Sequence, residues 1–598
     1  MSAHLLLITF GPVQSFIEQS RRTRDLWFGS HVLSELARAG ARALAEVGAG
    51  LILPALAKGD SELEPCEGFL RQNEDPEKRK PAAPIANKLL AELPEGLDPE
   101  ETAREARSAV IDHWKRLAEG VRARCRPLLA ENIDAVWDEQ IETAVEFYAA
   151  WAPLSGDYAE ARKKLERAIA GRKLLRDFGP WRHDRVGAPK SSFDGARVSV
   201  LAKPRSKTLA RRLRIGEGEQ LDAVALVKRA GGDPQQFPPI VNIALAAWLE
   251  AAAQHAPAEL GRLRERAREL DLPQVKRPDL RWTIAFPFDA EVLIEIRIRP
   301  LFEELEIAAD PELFLRHELR PLYRVMGEPN PYVACLVADG DRMGRALDAI
   351  GDPDAHRAFS KALAGFAAEV RRIVEQEHRG SLVYAGGDDA LAFLPLVDAV
   401  PCAERLRERF EALVRPAVPA AVLDADKPTL SVGIGIGHPM EGMAALLELG
   451  REAEKLAKTQ RNALALVLDK RSGGRREWLG GWPEDPAARL SADAALAAGP
   501  LSIKKIHEIG AILRRLPAPG AVAGGEAEAF HRVLEGEVHR ALARNEGKPL
   551  GFAEIGLVLP EDYAGAHEAV ARWVDRMLIA RAIAEAAPRP RVKAKEAA

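Results

Sequence analysis

The segment that most constrains the fold of this chain is 331–471, where apolar patterns of strand and helix follow one another in a fixed order. Short apolar runs bounded by turn residues predict strands, and apolar residues that return every three or four positions predict helices. In chain order the segment predicts a strand, two helices, a hairpin, a helix, a strand, a helix and a last strand, at 332–338, 342–350, 356–377, 381–394, 402–414, 429–437, 441–461 and 463–468. Strand, helix, hairpin, helix, strand is the order of a ferredoxin-like palm domain.

Acidic turns stand at the ends of two apolar strands in this segment. Asp339 and Asp341 follow the first strand, and the run Gly386-Gly387-Asp388-Asp389 fills the hairpin turn. If these strands are neighbours in one sheet, three or four carboxylates meet at one edge, and such a cluster requires a hard divalent cation such as Mg²⁺. Two such ions about 3.5–4 Å apart would activate a ribose 3′-hydroxyl and stabilise a leaving pyrophosphate. The pattern therefore predicts nucleotidyl transfer.

Each acidic turn has a simpler explanation when it is taken alone, because Asp is common at hairpin ends and at helix N-caps. We favour the metal site because both turns occur together, in the expected order and each at the tip of an apolar strand. Lys455 and Lys458 lie one turn apart in the last palm helix, where they either contact a triphosphate or lie on a solvated helix face. Ser431, early in the third palm strand, is a weaker candidate for nucleotide binding.

The rest of the chain predicts further domains. His4–Phe10 is a short apolar strand pattern with a helix behind it, 54–100 looks irregular, and 101–175 looks like long amphipathic helix whose apolar faces include Phe147, Tyr148 and Trp151. Residues 281–299 alternate like one or two strands that return to the first sheet. We expect an α+β multidomain protein with a first palm and its helical insert, a small irregular module, a helical linker with return strands, a second palm, and a C-terminal helical domain with a tail, at 1–180, 181–235, 236–325, 326–475 and 476–598.

The composition excludes several classes of protein. Lys and Arg number 85 against 89 Asp and Glu, a net charge of −4, so the chain is no polycation that coats nucleic acid. Its four cysteines, Cys66, Cys125, Cys335 and Cys402, are widely spaced, which argues against a disulfide scaffold and favours a reducing compartment. No stretch reads as a signal peptide or a membrane span. We expect a cytoplasmic protein with no membrane partner.

Several stretches carry a resemblance to a known family. "PYVACLVADGDRMGRALD", "SLVYAGGDDALAFLP" and "LSVGIGIGHPMEGMAALLELGREAEKLAKTQRNALALVLDKRSGG" resemble the second palm domain of the large, polymerase-like subunit of type III CRISPR effector complexes. "LLLITFGPVQSFIEQSRRTRDLWFGSHVLSELA" resembles that subunit's first palm domain in the type III-B (Cmr) branch. The resemblance covers most of the chain. It implies two nucleotidyl cyclase-like palm domains packed face to face, a small zinc-bearing region, helical linking domains and a C-terminal helical bundle.

The resemblance also implies a function. In a ribonucleoprotein guided by crRNA and built with other effector subunits, target RNA would activate the GGDD palm to join ATP molecules into cyclic oligoadenylates, which are second messengers in antiviral defence. The catalytic and metal-binding residues, with Mg or Mn as the metal, would be Asp339, Asp388 and Asp389, joined by Asp341 as a further metal ligand. The nucleotide contacts would be Gly340, Gly386, Gly387, Ser431 and Lys458.

Many members of this family begin with an HD nuclease domain. Here the first palm strand starts at His4, which leaves no room ahead of it in this sequence. The dipeptide His183-Asp184 lacks the separate upstream His and downstream Asp of a metal-dependent HD site, so we expect a solvent-exposed loop there. HD-type DNase activity is therefore not expected.

A second departure concerns zinc. Where relatives carry paired cysteines, this chain has Ser191, Asp194, Asp222 and Ala225, and these residues cannot form a closed thiolate site. We expect a chain without zinc, in which packing alone holds the small module.

The first palm has Thr9-Phe10-Gly11-Pro12 after its strand and no acidic turn. We expect it to bind no catalytic metal and to complete a composite nucleotide pocket against the second palm. Arg21, Arg22 and Arg24 follow, and they either meet RNA, a partner subunit or phosphate, or form salt bridges on a helix surface.

Two other functions stay open. A stand-alone nucleotidyl cyclase shares the palm and the glycine-acid hairpin, but it leaves the N-terminal half unexplained. A non-catalytic scaffold that only organises crRNA and other subunits is the third possibility, and the intact Asp339, Asp388 and Asp389 argue against it.

Overall fold

The computed structural model describes residues 3–66, 82–154, 156–175, 182, 187–277, 279–471, 473–522, 524–545 and 549–590. The strands in these ranges form one four-stranded and one six-stranded sheet. His183 and Asp184, and most of the predicted C-terminal tail, lie outside the described residues, so those expectations stay predictions.

The first sheet contains four strands, β1 (His4–Gly11), β2 (Gly50–Leu53), β3 (Lys88–Leu93) and β4 (Glu146–Pro153). Its order is β2-β3-β1-β4, and every neighbouring pair is antiparallel. The helices of this region are α1 (Gln14–Glu18), α2 (Thr23–Glu46), α3 (Pro99–Cys125), α4 (Asp134–Glu142) and α5 (Tyr158–Leu174). Since α2 connects β1 to β2, and α3 and α4 connect β3 to β4, the arrangement is ferredoxin-like, which confirms the predicted first palm.

Two strands of this sheet correct the sequence prediction. β3 lies in the stretch expected to be irregular, and β4 lies in the stretch expected to be helical. β1 pairs with both, Leu6 facing Ala91 on one side and Trp151 on the other. The run from Phe147 to Ala152 is too short for its period to separate strand from helix, and pairing with the buried strand β1 decides it.

The linking region between the palms is helical. Its helices are α6 (Lys207–Arg212), α7 (Ala223–Ala230), α8 (Ile240–Ala244), α9 (Ala246–His255), α10 (Pro257–Glu269), α11 (Glu295–Glu304), α12 (Pro311–Phe314) and α13 (Arg320–Met326). The return strands expected at 281–299 are wrong, because Arg281–Ile284 and Ala290–Leu293 are 3₁₀ turns and α11 follows them. Trp282 packs in the cluster that both palms share, and Val292 packs in the linker's own helical core. Neither residue belongs to a strand of the two described sheets.

The small module around 187–230 is held together by hydrogen bonds as well as by packing. Ser191 Oγ accepts hydrogen bonds from the backbone N–H groups of Phe193 and Asp222, both at 3.4 Å. The Asp222 carboxylate caps α7 by accepting from Ala225 N at 3.0 Å. Ser191, Asp222 and Ala225 thus take part in one local hydrogen-bond network, which corrects the expectation of packing alone.

The second sheet contains β5 (Val333–Asp341), β6 (Ser381–Ala385), β7 (Ala390–Pro395), β8 (Thr429–Gly437), β9 (Ala463–Leu468) and β10 (Arg476–Gly481). The strand order is β10-β9-β8-β5-β7-β6. Its part β8-β5-β7-β6 repeats the order of the first sheet, which confirms the predicted second palm, and β9 lies parallel to β8. β10 is a correction, because the chain after about residue 476 was expected to be wholly helical.

The helices of the second palm are α14 (Met343–Asp348), α15 (Pro353–Arg372), α16 (Leu396–Leu413) and α17 (Met443–Gln460), and those of the C-terminal region are α18 (Pro486–Ala498), α19 (Ile503–Arg515), α20 (Gly525–Ala543) and α21 (Tyr563–Ala586). A π-helical turn, Ile373–Glu377, extends α15. All four cysteines are buried. None of the helices that the structure describes is long and apolar enough to cross a membrane.

Both palms contribute to the same two clusters of buried side chains. Alternate residues of a strand point to opposite faces of its sheet. Accordingly Leu6 of β1 and Cys335 of β5 lie in one cluster, while Leu7 and Leu336 lie in the other. Polar contacts add to this packing, including a 2.7 Å hydrogen bond between Tyr158 Oη and His356 Nδ1 and a 3.0 Å ion pair between Arg357 and Glu92.

Candidate active site

The sheet brings the two acidic turns into direct contact. β5 and β7 are antiparallel neighbours, with Ala338 opposite Ala390, so Asp339 and the turn that precedes β7 emerge at the same edge. A methyl group added to Gly340 would lie 2.8 Å from Cβ and from Oδ2 of Asp388. Asp388 therefore packs on the backbone at the end of β5, and this approach requires glycine at position 340.

The hairpin turn needs both of its glycines, for different reasons. Gly386 N donates to the carbonyl of Asp389 at 3.0 Å, which closes the turn. A Cβ on Gly386 would overlap the hydroxyl of Tyr384, which lies against the turn. Gly387 has φ of 93°, in the region that favours glycine. The turn thus holds Asp388 and Asp389 at a fixed place beside β5.

Three of the four carboxylates of the two turns, Asp339, Asp388 and Asp389, interact electrostatically. Burial, followed by the charge of Asp339, raises the pKa of Asp388 to about 6. Burial, followed by the charges of Asp388 and Asp339, raises the pKa of Asp389 to about 7. Burial and then Asp339 also raise the pKa of Glu454, an additional carboxyl group on α17 that the sequence analysis missed. A bound cation would offset this repulsion.

Lys458 is the cation that faces this cluster. Its Nζ lies 3.0 Å from the carbonyl oxygens of Asp339 and Gly340 and 3.0 Å from Asp341 Oδ1, and it also contacts the Asp339 carboxylate. Burial acts to lower the pKa of Lys458, and the hydrogen bonds and charges of the two aspartates outweigh it and raise that pKa. Lys455 is exposed one turn earlier, and its contact with phosphate stays a prediction.

Asp341 is buried and its oxygens are already occupied. It accepts hydrogen bonds from Thr429 Oγ1, Ser431 Oγ and Asn462 N, each at 2.9 Å, in addition to its bond with Lys458. Asp341 therefore joins the end of β5 to β8, to the turn after α17 and to Lys458. Ser431 has no exposed surface, so its part in nucleotide binding would be indirect, through Asp341.

Glycines in β8 allow α17 to pack directly on the strand backbone. A Cβ on Gly433 would lie 2.0 Å from Glu454 N, and one on Gly435 would lie 2.3 Å from Gly450 N. The alternation of glycine with apolar residues in this strand therefore has a packing reason, because only glycine leaves room for the helix backbone. The close approach places Lys458 beside the end of β5.

The donor set fits a hard divalent cation. Carboxylate oxygens are the ligands that Mg²⁺ and Mn²⁺ prefer. Burial, and then the neighbouring carboxylates, raise the pKa values of Asp388 and Asp389, and a bound cation would favour their charged forms. Across the part of the chain that the structure describes, no three His, Cys, Asp or Glu side chains are arranged in advance as a metal site. Asp339 faces Lys458 instead, so metal binding would require Asp339 to exchange that partner for the ion.

Sequence reasoning placed Asp339, Asp388, Asp389 and Lys458 in one site, and the structure brings them together. It missed Tyr384, Thr429, Asn462 and Glu454. The sequence could have indicated Thr429, because it stands two positions before Ser431 and therefore lies on the same face of β8. It gave no indication of Asn462, whose contact depends on the left-handed backbone of Arg461 and Asn462 after α17, with φ of 61° and 45°.

Comparison with known proteins finds two matching family models. Residues 332–465 match the family model of the Cas10/Cmr2 second palm domain, and residues 5–119 match that of the N-terminal region of CRISPR-associated protein Cmr2. The chain is therefore similar to the Cas10/Cmr2 second palm domain over one segment and to the Cmr2 N-terminal region over another. The Cas10/Cmr2 palm match contains both acidic turns and Lys458.

One curated relative is the CRISPR system Cmr subunit Cmr2 of Pyrococcus furiosus, which is 34% identical over 193 residues. That alignment covers 27% of this chain and 21% of the length of the relative. Chains in the structures of type III-B Cmr-beta in the apo state and bound to cognate target RNA have a TM-score of 0.62 and 14% identity, covering 96% of this chain and 81% and 83% of theirs. At that identity the likeness establishes a shared fold.

Proposed function

We propose that this chain is the large palm-domain subunit of a type III-B effector complex, and that its second palm converts ATP into cyclic oligoadenylates when the complex binds target RNA. The observation that carries the proposal is the contact of Asp388 with the backbone of Gly340, which puts both acidic turns at one edge beside Lys458. The proposed partners are other effector subunits, crRNA, target RNA and ATP.

Asp339, Asp388 and Asp389 would hold Mg²⁺ or Mn²⁺. When bound, the metal ions would lower the pKa of the attacking ribose hydroxyl and offset charge on the phosphate oxygens. With Asp339 holding a metal ion, Lys458 would have one carboxylate partner fewer, and its ammonium group would be available to a phosphate oxygen. Asp341 keeps Lys458 at the end of β5 throughout, because the other bonds of Asp341 do not involve Asp339.

The experiment that tests this proposal is to incubate the assembled complex with ATP and Mg²⁺ or Mn²⁺, with and without target RNA, and to identify the products by mass spectrometry. Cyclic oligoadenylates should form only with target RNA. The Asp388→Ala/Asp389→Ala double variant should make none, while complex assembly and crRNA binding stay intact. Removing charge from a crowded acidic turn should leave thermal stability equal or higher.

A matched control removes two exposed acids elsewhere. Glu105→Ala/Glu265→Ala changes the net charge equally at exposed helical positions and should leave product formation unchanged. Parental rates in the Asp388/Asp389 double variant would refute the site. Products made by the isolated chain without RNA would indicate a stand-alone nucleotidyl cyclase instead.

Asp341 and Asp339 are distinguished by their stability effects. Asp341→Asn should lower the free energy of unfolding by about 1–3 kcal/mol, since buried donors lose a charged acceptor. Asp339→Asn changes a side chain that is 40% exposed, so it should leave stability almost unchanged while product formation is lost. If Asp341→Asn left both stability and product formation at the parental level, Asp341 would have no positioning role.

A further inference from the structure

A large cavity lies apart from the carboxylate site, where the first palm, the 187–230 module and the linking helices meet. Its volume is about 1270 Å³, and its lining includes the start of α2, the end of α6 and the start of α17. Met443 and Leu446 of α17 line the cavity, whereas Lys458 stands in the last turn of the same helix. At about 1.5 Å per residue, the cavity and Lys458 are about 18–22 Å apart along that helix.

Arg24, in the first turn of α2, is a buried cation in the lining of this cavity, and it forms no ion pair within the described residues. Its side chain lines the cavity although only 8% of the residue is exposed. Its Nη2 is buried and has no hydrogen-bond partner among the described residues. Burial, and then the neighbouring charge of Arg229, lower the pKa of Arg24 to about 9. Arg229 forms ion pairs with Asp25 and Glu219, and the charges of Asp25 and Asp233 only partly offset the lowering of the Arg24 pKa.

Exposed arginines line the same cavity. Arg21 and the α6 residues Arg211 and Arg212 are exposed there, and none of them forms an ion pair within the described ranges. Arg22 differs, because it pairs with Glu304 at 3.0 Å. The structure thus divides the three arginines that the sequence presented together: Arg22 forms a salt bridge, whereas Arg21 and Arg24 point to another ligand.

Several acidic residues of the lining already have partners. Asp289 and Glu291 pair with Arg214 at 2.9 and 3.5 Å, and Glu269 pairs with Arg266 at 2.8 Å. Glu306 pairs with Lys207 of α6 at 3.8 Å. The other acids of the lining come from the loop after α10 and from the segment that follows α11, and they are Asp271, Asp310 and Glu318. The end of the cavity formed by α2 and α6 is therefore the cationic one.

The start of α2 adds to this positive potential. α2 is 24 residues long, and the N-terminal end of a helix favours anions through its backbone N–H groups and dipole. The Asp25 carboxylate accepts from the N–H groups of Arg21 and Arg22 at 3.1 and 3.0 Å and is shared with Arg229, so it holds the turn that presents Arg24.

We propose that this cavity is a phosphate-binding site. The buried Arg24 and the exposed Arg21, Arg211 and Arg212 would bind the anion together. Arginine suits this role because its planar guanidinium pairs with phosphate oxygens in two parallel hydrogen bonds. The cavity has room for more than one phosphate group, so the anion is either free phosphate or a backbone phosphate of single-stranded RNA.

The test is the thermal unfolding of the full chain in chelator, so that no metal bridges an anion to the carboxylate site. Inorganic phosphate should raise the midpoint of the parental chain relative to chloride at equal ionic strength. Arg24→Met should unfold at an equal or higher temperature than the parent in chloride, because an unpaired buried charge is removed, and should lose the rise with phosphate. No rise in the parent, or an equal rise in Arg24→Met, would overturn the proposal.

A double variant tests the exposed arginines of α6, whose replacement should not affect folding. Arg211→Gln/Arg212→Gln should weaken phosphate binding about tenfold, whereas Arg107→Gln, an exposed arginine on α3, should leave it unchanged. Equal binding by the double variant and the control would remove Arg211 and Arg212 from the site.

Fluorescence anisotropy with a labelled single-stranded RNA distinguishes a backbone phosphate of RNA from free phosphate as the bound anion. Loss of RNA affinity in Arg24→Met identifies a backbone phosphate, and unchanged RNA affinity with lost phosphate stabilisation identifies a free anion. The Asp388→Ala/Asp389→Ala chain should behave like the parent in every arm, so this proposal and the proposed ATP conversion fail independently.

Discussion

The first and second palms share one strand order, β4-β1-β3-β2 and β8-β5-β7-β6, yet differ at the edge where β1 and β5 end. β5 ends in Asp339-Gly340-Asp341, and β1 ends in Thr9-Phe10-Gly11. Each palm also directs a helical lysine to that strand end. Lys458 contacts two aspartates, while Lys173 of α5 reaches only Thr9 Oγ1, at 3.4 Å.

The hairpins differ as well. The β6–β7 connection is the four-residue acidic turn 386–389, whereas the β2–β3 connection spans 54–87. In the second palm α17 packs on glycines of β8, while in the first palm the strand beside α5 presents larger side chains such as Tyr148. Both palms therefore have a lysine beside the end of their first strand. Only in the second palm do the side chains at that end form a carboxylate cluster in the described chain.

The largest expected effect comes from closing the gap between α17 and β8. Gly435→Ala would place a methyl group 2.3 Å from backbone atoms of Leu449 and Gly450. Overpacking of this kind costs about 1–3 kcal/mol or more, and it would move Lys458, so ATP conversion should be lost together with stability. Denaturant unfolding and the product assay measure the two effects.

The first palm offers the matched control for that change. A methyl group on Gly171 of α5 meets nothing within 4 Å, so Gly171→Ala should stabilise the chain by about 0.5–1 kcal/mol and leave activity unchanged. If Gly435→Ala behaved like Gly171→Ala, the helix would not need its close approach to β8.

The next largest effect concerns the two strand ends themselves. Gly340→Ala would push Asp388 away from β5, and a displacement of about 1 Å at a catalytic group can cost about 100-fold in rate. At the corresponding place in the first palm, a methyl group on Gly11 has only an ordinary contact, 3.7 Å from Val13 N. Gly11→Ala should therefore keep activity within about twofold. Equal rates for both variants would show that Asp388 needs no contact with β5.

The two lysines sharpen the comparison further. Lys458→Met should lower ATP conversion about 10–150-fold, because one charge-assisted hydrogen bond to phosphate is worth about 1.5–3 kcal/mol. Lys173→Met, which removes a single long bond to a hydroxyl, should lower it less than about threefold. Single-turnover rates at saturating ATP measure both losses. If Lys173→Met lowered the rate as much as Lys458→Met, the two lysines would contribute equally to the reaction.

The last comparison concerns the joint between the palms, where the expected effect is on stability at low pH. Burial, and then the charge of Arg162, lower the pKa of His356 to about 4 from 6.5. Because the unfolded chain binds this proton more readily, stability is complete above about pH 6.5 and falls as the pH drops towards 4, by up to about 3 kcal/mol.

His356→Gln should therefore flatten the pH dependence of the unfolding midpoint between pH 4 and 6.5, although it also weakens the bond to Tyr158. The exposed His507→Gln in α19 serves as the control and should keep the parental slope. An unchanged slope in His356→Gln would assign the acid sensitivity to other groups.

The second palm was predictable almost element by element. Its strands are short buried runs closed by glycine and aspartate, as in Val333–Asp341 and Thr429–Gly437, so period and turn chemistry mark them locally. The acidic turns were found for the same reason, since both follow such strands directly. In the first palm, Lys88–Leu93 and Glu146–Pro153 lacked this local evidence, and the prediction failed there.

The sequence by itself determined the order of strand and helix in the second palm and the two acidic turns, because both depend on residues that are neighbours along the chain. Only the tertiary structure decided that Glu146–Pro153 is a strand, that Asp341 supports Lys458, and that Arg22 is paired while Arg24 is not. The physical reason is that strand pairing and ion pairing depend on partners far away in sequence, such as Glu304 for Arg22, and local patterns carry no information about them.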